Sequence, residues 1–216
     1  MTITVVKDLR SSFGPARDQD PRPTCMAFAA SDAHAGVRPG WDPLSVEWAY
    51  YHALRRDGVQ PHQGVSLPTM LATLEGDGQP EEAVWPYIQK EFTDLTAWRP
   101  PQTGAPCYRR RSDYVRASVP DVVRELDQDH PVLLVMSISP AFYQPGAGGV
   151  VASSEPTMPK RVHAVVAMGH GKKDDNPFVL IRNSWGESWG LAGHGWVSAT
   201  YLAPRLLVAA TMSGVP

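Results

Sequence analysis

Cys25 is the residue of this 216-residue chain best placed for nucleophilic chemistry. It follows a loop stiffened by Pro21 and Pro23 and precedes residues 26–35, a stretch rich in helix formers. Thr24 could cap that helix, so we expect the thiol in the first helical turn. Unpaired N–H groups and the positive end of the helix dipole would favour the thiolate there. Taken alone, the stretch fits a catalytic cysteine and a buried structural cysteine equally well.

A base and an orienting group for Cys25 occur much further along the chain. His163 lies at the start of one apolar run predicted as a strand, and Asn183 follows the next such run. Residues 172–175 are predicted as the hairpin tip that joins them, which would bring His163 and Asn183 together. The Asn183 carbonyl oxygen would accept one ring N–H of His163 and leave the second nitrogen facing the sulfur. A neutral amide suffices, because a thiolate–imidazolium pair carries both charges itself.

Gln19 lies six positions before Cys25 and could reach round the loop towards it. Its side-chain amide and the Cys25 backbone N–H could bind the oxyanion of an acyl-transfer intermediate. A single donor in that role is typically worth on the order of 100- to 1000-fold in rate. Together with Cys25, His163 and Asn183, Gln19 therefore predicts covalent catalysis at an acyl group.

These residues resemble the papain family of cysteine peptidases. The matching motifs are Gln19-x5-Cys25-x-Ala27-Phe28, His163-Ala164-Val165 with Gly169-x-Gly171, and Asn183-Ser184-Trp185-Gly186-x-x-Trp189-Gly190-x-x-Gly193. His163 and Asn183 follow Cys25 by 138 and 158 positions, close to the roughly 130 to 150 residues usual in that family. The resemblance covers essentially the whole chain. It implies Cys25 as nucleophile, His163 as general acid and base, Asn183 as orienting group and Gln19 as oxyanion donor.

The resemblance also implies the surroundings of the site. Trp185 would shield the hydrogen bond between His163 and Asn183 from water, and Gly64 would lie along the substrate backbone. The candidate residues of the specificity pocket are Val65, Ser66, Leu67 and Ala164. Their small or apolar character would favour an apolar substrate side chain next to the scissile residue.

The chain departs from the family pattern around the nucleophile. The usual Cys-Gly-Ser-Cys-Trp is replaced by Arg22-Pro23-Thr24-Cys25-Met26, which lacks the first disulfide cysteine and the tryptophan. A glycine pair that commonly contacts the substrate backbone is reduced to Gln63-Gly64. These are the places where altered substrate access or regulation would first be expected.

The order of the predicted elements indicates an α+β protein. Helices are predicted near residues 25, 45, 66 and 118, and strands over residues 2–6, 131–138, 148–151, 162–168, 178–182, 195–199 and 206–212. We therefore expect residues 1–216 to form one papain-like catalytic domain with two lobes. Residues 10–110 would form a helical N-terminal lobe and residues 111–216 a lobe built on an antiparallel β-sheet or barrel. Residues 1–9 would cross to the second lobe, and the cleft between the lobes would hold the active site.

The composition favours a globular protein whose partner is a peptide or protein substrate. The net charge is −2 and charged residues make up 19%, which gives no field typical of nucleic-acid or membrane binding. The basic run of residues 109–111 is interpreted as a solvated face. The remaining histidines share no ligand-like spacing, so neither a metal nor a cofactor is expected.

Compartment and regulation are also addressed by the sequence. There is no signal-peptide-like start and no apolar run of about 20 residues, which predicts a cytoplasmic protein, with signal-independent secretion as the alternative. The only cysteines are Cys25 and Cys107, and a disulfide-free chain fits a reducing compartment. If Met1 is the native start, an inhibitory prosegment has no room. Control by expression, by a regulatory partner or inhibitor, or by the rarity of the substrate is then expected.

Three functions stay open at this point. The first is a cysteine peptidase that hydrolyses peptide bonds through a thioester acyl-enzyme. The second is an acyltransferase or deamidase, because the same thioester can react with a nucleophile other than water. The third is a catalytically silent module that binds peptides without turnover.

Overall fold

The computed structural model of the protein describes residues 2–90, 97–152, 154–158 and 161–214. The first half carries β1 (Thr4–Asp8), α1 (Cys25–Gly36), α2 (Val46–Asp57) and α3 (Leu67–Gly76). The second half carries β2 (Ser112–Val115), α4 (Val119–Asp127), β3 (Val132–Ser137), α5 (Pro140–Tyr143), β4 (Val150–Val151), β5 (Val162–Lys173), β6 (Asn176–Arg182), β7 (His194–Ser198), α6 (Ala199–Leu202) and β8 (Leu206–Met212). Larger helices come first and most strands second, which confirms the predicted α+β class.

Serine side chains set the starts of three helices. Ser45, Ser66 and Ser118 each accept the backbone N–H of the residue three positions later, at 3.1, 3.3 and 3.2 Å. α2 ends at Gly58, whose φ of 65° lies in the left-handed region that glycine adopts without strain. The predictions of these helix boundaries are confirmed.

Thr24 precedes α1 but makes no capping hydrogen bond to its first turn. Its hydroxyl lies instead 2.9 Å from the Tyr87 hydroxyl, which also donates to the Gln19 carbonyl oxygen at 2.7 Å. The predicted Thr24 cap is therefore wrong. The side chain is turned towards Tyr87, which comes from a distant loop and could not be foreseen from the local sequence.

The strands form one sheet in the order β2-β8-β3-β5-β6-β7-β4, and β1 pairs with β5. β5 is long enough to pair with β3 through its first half and with β1 through its second half. The pairs are antiparallel except for that between β4 and β7. 

In that pair Val150 lies opposite Trp196 and Val151 lies opposite Val197, in a parallel arrangement. The predicted sheet is thus antiparallel apart from this one short pair.

The strands at the centre of the sheet are buried on both faces. In β3, Val132, Leu134 and Met136 belong to one hydrophobic cluster, whereas Leu133 and Val135 belong to another. The first cluster includes residues of α4, α5 and α6, and the second includes residues of α1, α2 and α3. Successive strand residues point to opposite faces, so a continuous apolar run is what a strand between two packed layers requires.

The hairpin between β5 and β6 has the turn that the sequence predicts. Asp174 and Asp175 have φ values of 48° and 61°, and the flanking residues Lys173 and Asn176 are paired. Two successive residues with positive φ match the twist of the strands that they join. This hairpin carries His163 near the start of its first strand and leads to Asn183 directly after its second.

Two short helices were not predicted, and one predicted strand is shifted. β1 runs from Thr4 to Asp8, so it begins and ends two residues later than the predicted range of 2–6. α6 begins where the strand over 195–199 was expected to end, because Ser198 caps it by accepting the Tyr201 N–H at 3.2 Å. α5 begins at Pro140, a residue that suits the first helical turn.

The described residues contain neither a membrane-spanning helix nor a cluster of metal ligands. No described helix is both long and apolar enough to cross a membrane. Among the same residues, no group of three or more His, Cys, Asp or Glu side chains could hold a metal ion. Cys25 and Cys107 are free thiols.

We predict that Ser45→Ala lowers the free energy of unfolding by about 2–3 kcal/mol. Ser45 is fully buried, and its hydroxyl donates to the Trp85 carbonyl oxygen at 2.7 Å besides capping α2. The matched control is Ser66→Ala, which removes a solvent-exposed cap from α3 and should cost only about 1 kcal/mol. Urea unfolding of both variants measures the difference. Equal losses would contradict a contribution from the buried bond to Trp85.

Candidate active site

Cys25 is the first residue of α1 and is half-buried. Burial raises the pKa of its thiol, whereas the backbone N–H groups of Ala164, Met26 and Cys25 itself act to lower it. Ala164 follows His163 in β5, so the thiol lies beside the strand that carries the histidine. Within the described chain, no hydrogen bond links the Cys25 thiol to the His163 ring.

His163 and Asn183 are joined by a hydrogen bond of 2.7 Å between Nε2 and Oδ1. The same Asn183 oxygen accepts the Ser184 backbone N–H at 2.9 Å. A backbone N–H can only donate, so the Asn183 atom must be the oxygen, and His163 Nε2 must carry the shared proton. The neutral ring therefore has an unprotonated Nδ1.

The His163 ring is buried, with 4% of its surface exposed. Burial lowers the pKa of His163 to about 4, and the hydrogen bond that the ring donates to Asn183 partly opposes this shift. The shifts in the pKa of Cys25 and in that of His163 have the same cause. An isolated charge on either group is poorly solvated at this buried position. Neither group favours its charged form alone.

Gln19 is buried and is held from both ends of its amide. Its Oε1 accepts the Ser184 hydroxyl at 2.6 Å, and its Nε2 donates to the Arg22 carbonyl oxygen at 2.9 Å. The Gln19 backbone N–H also donates to the Ser184 carbonyl oxygen at 2.8 Å. One Nε2 hydrogen is used by Arg22, which leaves the second hydrogen for another acceptor.

Trp185 covers His163 as the resemblance implies. The two ring centroids lie 4.7 Å apart, with an angle of 35° between the planes. Tyr143 stacks on Trp185 with 5.0 Å between the ring centroids. Phe142 meets the rings of Trp185 and His163 edge-on. Asn183 is only 1% exposed, so its hydrogen bond to His163 lies away from solvent.

Three of the candidate substrate-binding residues share a hydrophobic cluster with Cys25. Val65, Leu67 and Ala164 belong to the hydrophobic cluster against which Cys25 packs. A side chain at Gly64 would meet only the Pro23 carbonyl oxygen, at 3.9 Å, so the space in front of this residue is open.

Ser66 differs from its neighbours in the predicted pocket because it is exposed and caps α3. Its hydroxyl accepts the Thr69 N–H and also lies 2.8 Å from the Thr69 hydroxyl. This side chain therefore has a structural partner already. The substrate-binding roles of Ser66, Gly64, Val65, Leu67 and Ala164 stay predictions.

Asp32 joins the chain segments that carry three of the candidate catalytic residues, Gln19, Cys25 and Asn183. This buried α1 carboxylate accepts from Arg17 at 2.6 and 2.9 Å and from Arg182 at 2.6 Å. Arg17 lies two residues before Gln19, Arg182 lies directly before Asn183, and Asp32 shares α1 with Cys25. Burial alone would raise the pKa of Asp32, but the two guanidinium charges more than offset it and hold the pKa below its ordinary value.

Arg22 occupies the position where the family pattern has its first disulfide cysteine. Its guanidinium forms a two-pronged, fully buried ion pair with Glu47 of α2, at 2.8 and 2.9 Å. It also lies over the Tyr50 and Tyr87 rings. Because the Arg22 carbonyl oxygen holds Gln19, this ion pair anchors the loop that presents the predicted oxyanion donor.

Sequence reasoning missed the roles of these buried charges. Arg22 was expected only as a departure from the family pattern, and no role was predicted for Asp32, Arg182 or Glu47. A signal was present, since Asp32 interrupts a run of small residues and Arg182 follows an apolar strand. Charged residues are almost never fully buried unless they are paired. The partner of each could not be read from the local sequence, because it comes from a distant segment.

Comparison with known proteins identifies the family. A family model described as papain family cysteine protease matches residues 65–202. Cathepsin J of Mus musculus is 28% identical over 202 residues, covering 83% of this chain and 55% of that protein. Peptidase 1 of Dermatophagoides farinae is 25% identical over 199 residues, covering 89% of this chain and 60% of that protein. The chain therefore belongs to the papain family, and it spans little more than half the length of these relatives.

Solved structures show the same fold. Xylellain, a cysteine protease from Xylella fastidiosa, matches with a TM-score of 0.79 and 21% identity, covering 100% of this chain and 88% of that chain. The Carica candamarcensis cysteine protease CMS1MS2, solved in complex with E-64, matches with a TM-score of 0.77 and 19% identity, covering 97% and 98%. The predicted papain-like fold is confirmed.

We predict that Asp32→Asn lowers the free energy of unfolding at pH 7 by about 3–5 kcal/mol, since Arg17 and Arg182 lose their shared counterion. The pKa of Asp32 is depressed by folding, so its contribution is present above the unfolded-state pKa of about 3.9 and is lost as the pH falls through the folded-state pKa. Urea unfolding between pH 3 and 7 should therefore show the gap between wild type and variant narrowing at low pH.

The matched control for Asp32→Asn is Asp113→Asn, which makes the same chemical change on the exposed face of β2. It should change the free energy of unfolding by no more than about 0.5 kcal/mol at any pH. A similarly small effect for Asp32→Asn would contradict the proposed anchoring by this carboxylate.

Proposed function

We propose that this chain is a cysteine peptidase that hydrolyses peptide bonds through a thioester formed on Cys25. The observation that carries the proposal is the hydrogen bond from His163 Nε2 to Asn183, which leaves Nδ1 of the neutral ring free to accept a proton. Cys25 lies beside the same strand, at the start of a helix. A nucleophile, a base and a group that orients the base are the minimum set for covalent catalysis at an acyl group.

The reactive form of the site is a thiolate–imidazolium pair. Burial opposes a lone charge on either group, since it raises the pKa of Cys25 and lowers that of His163. Transfer of the thiol proton to His163 Nδ1 creates both charges at once, and each then serves as counterion to the other. The helix dipole of α1 and the backbone N–H of Ala164 stabilise the thiolate further.

The reaction begins when the Cys25 thiolate attacks the carbonyl carbon of the scissile amide. The carbonyl oxygen becomes an oxyanion, which accepts from the Cys25 backbone N–H and from the second Nε2 hydrogen of Gln19. His163 gives its Nδ1 proton to the leaving amine, and the C–N bond breaks to leave a thioester. His163 then takes a proton from water, whose oxygen attacks the thioester, and the carboxylate product leaves as the Cys25 sulfur regains its starting form.

The substrate would lie in extended form along Gly64. The open space in front of this residue allows close approach of a peptide backbone. Val65, Leu67 and Ala164 would receive an apolar side chain next to the scissile residue, since they line the cluster that borders Cys25. An unbiased peptide library, analysed by cleavage position, tests this preference together with the reaction itself.

We predict that Cys25→Ala abolishes peptide cleavage and labelling by a thiol-directed epoxide, while the circular dichroism spectrum stays unchanged. Cys107→Ala is the matched control, because it removes the only other thiol, which is exposed, and should retain both activities. Mass spectrometry of the products distinguishes cleaved peptides from joined or deamidated ones. Cleavage by Cys25→Ala at the wild-type rate would overturn the proposal, and joined or deamidated products would replace hydrolysis by acyl transfer or deamidation.

We predict that Gln19→Ala lowers kcat on the order of 100- to 1000-fold with little change in KM, because the donor acts on charge that develops in the transition state. Ser184→Ala is the control, since it removes the hydroxyl that holds Gln19 Oε1 but keeps the donor. It should lower kcat much less. Equal losses in the two variants would assign Gln19 a structural role instead.

A further inference from the structure

Three buried nitrogen atoms without a hydrogen-bond partner among the described residues lie near the C-terminal end of α1 and in the segment packed against it. They are His34 Nε2, Arg38 Nη1 and Arg110 Nε. The described residues include no acidic group within ion-pairing distance of either arginine. A buried polar nitrogen without a partner carries an uncompensated desolvation cost, which is larger when the group is charged, so three in one place call for an explanation.

Contacts through Gln79 and Tyr108 bring the three side chains together. His34 Nδ1 lies 3.2 Å from Gln79 Oε1, and the backbones of Gln79 and Tyr108 exchange two hydrogen bonds of 2.8 Å. The Arg38 guanidinium carbon lies 3.7 Å from the centre of the Tyr108 ring. Arg110 follows Tyr108 by two residues, which places both side chains on one face of an extended segment.

The Arg110 side chain is fixed with one edge turned inwards. Its Nη1 donates to the Ser213 carbonyl oxygen at 3.1 Å, whereas its Nε is buried and has no partner. The Nε and Nη2 hydrogens of a guanidinium point in parallel and match two oxygens of an oxyanion. Arg110 therefore keeps a buried N–H that suits an anion, near the charge of Arg38.

The charges of this cluster repel each other. Burial lowers the pKa of Arg110, and the charge of Arg38 lowers it further. Burial also lowers the pKa of His34, to about 4, with smaller contributions in the same direction from Arg110 and Arg38. The nearby acids contact other groups, since Glu75 pairs with Arg111, Asp77 with Arg56, and Glu81 with the Tyr108 hydroxyl.

The tautomer of His34 is set by Gln79. The Gln79 Nε2 donates to the Ser45 carbonyl oxygen at 3.0 Å, so Oε1 is the atom that faces His34. His34 Nδ1 must then donate to Oε1, and Nε2 of the neutral ring is unprotonated. Nε2 can therefore take up a proton when an acceptor for the resulting N–H arrives.

We propose that His34, Arg38 and Arg110 form a binding site for a small inorganic oxyanion of the sulfate or phosphate class. The two guanidinium groups bind the anion, and His34 Nε2 takes up a proton and donates to it. The ligand is small, because His34 is completely buried and an anion that reaches its Nε2 must fit among protein side chains. The anion neutralises the repulsion between the arginines, so binding stabilises the folded protein.

Binding is linked to proton uptake at His34. Gln79 accepts from the ring, and Arg38 and Arg110 are the charged groups that act on it. An anion beside Nε2 offsets both arginine charges and favours the imidazolium. Affinity for sulfate therefore rises as the pH falls from 7.5 to 5.5, a range in which the charge of sulfate does not change.

Isothermal titration calorimetry with sodium sulfate at constant ionic strength tests the site. Wild type should bind one sulfate per chain, more tightly at pH 5.5 than at pH 7.5. Arg38→Met and Arg110→Met should each weaken binding about tenfold or more, as expected for loss of a charge-assisted hydrogen bond. Arg109→Met is the matched control on the same segment; Arg109 is exposed, so its replacement should leave the affinity unchanged.

Further variants separate the elements of the site. His34→Gln should bind sulfate at pH 7.5 but lose the pH dependence, and wild type should take up a proton when binding is measured in two buffers of different ionisation enthalpy. Cys25→Ala should bind as wild type does, which separates this site from the candidate active site. Absence of saturable binding by wild type at both pH values, or unaltered binding by both arginine variants, would overturn the proposal.

Discussion

The structure depends on one buried carboxylate that meets two arginines from distant parts of the chain. Asp32 lies seven residues after Cys25 in α1, and its partners Arg17 and Arg182 lie beside the segments that carry Gln19 and Asn183. Removing any of these charges from water is costly, so each is tolerated only while the others are in place. Because these buried charges must stay paired, they also hold the helical lobe against the sheet in one relative position.

Arg22 and Glu47 extend this principle to the loop before the nucleophile. The family pattern has a disulfide cysteine at the position of Arg22, whereas here a bidentate ion pair under two tyrosine rings joins the loop to α2. The Arg22 carbonyl oxygen then holds the Gln19 amide. An ion pair of this kind is directional and persists under reducing conditions, but it leaves both charges dependent on complete burial.

Burial opposes the charged form of each titratable group discussed above, but the outcome differs among the groups. Around Asp32, arginine partners are close enough to hold the pKa of the carboxyl down despite burial. At Cys25 and His163, burial pushes both pKa values towards the neutral forms. Near His34, each of two arginines has a buried nitrogen with no acidic partner among the described residues. What decides each case is whether a counterion lies within reach.

Local features could be predicted from the sequence alone: the start of α1 at Cys25, the serine caps, and the hairpin that carries His163 towards Asn183. These follow from residue types a few positions apart, because capping, turn geometry and strand alternation are short-range effects. The sequence also identified the family. Tertiary packing sets the orientation of Thr24 and the partners of Asp32 and Arg22. It also sets the directions in which the pKa values of Cys25 and His163 shift. Desolvation and ion pairing depend on which distant segments pack against a group, and no local pattern contains that information.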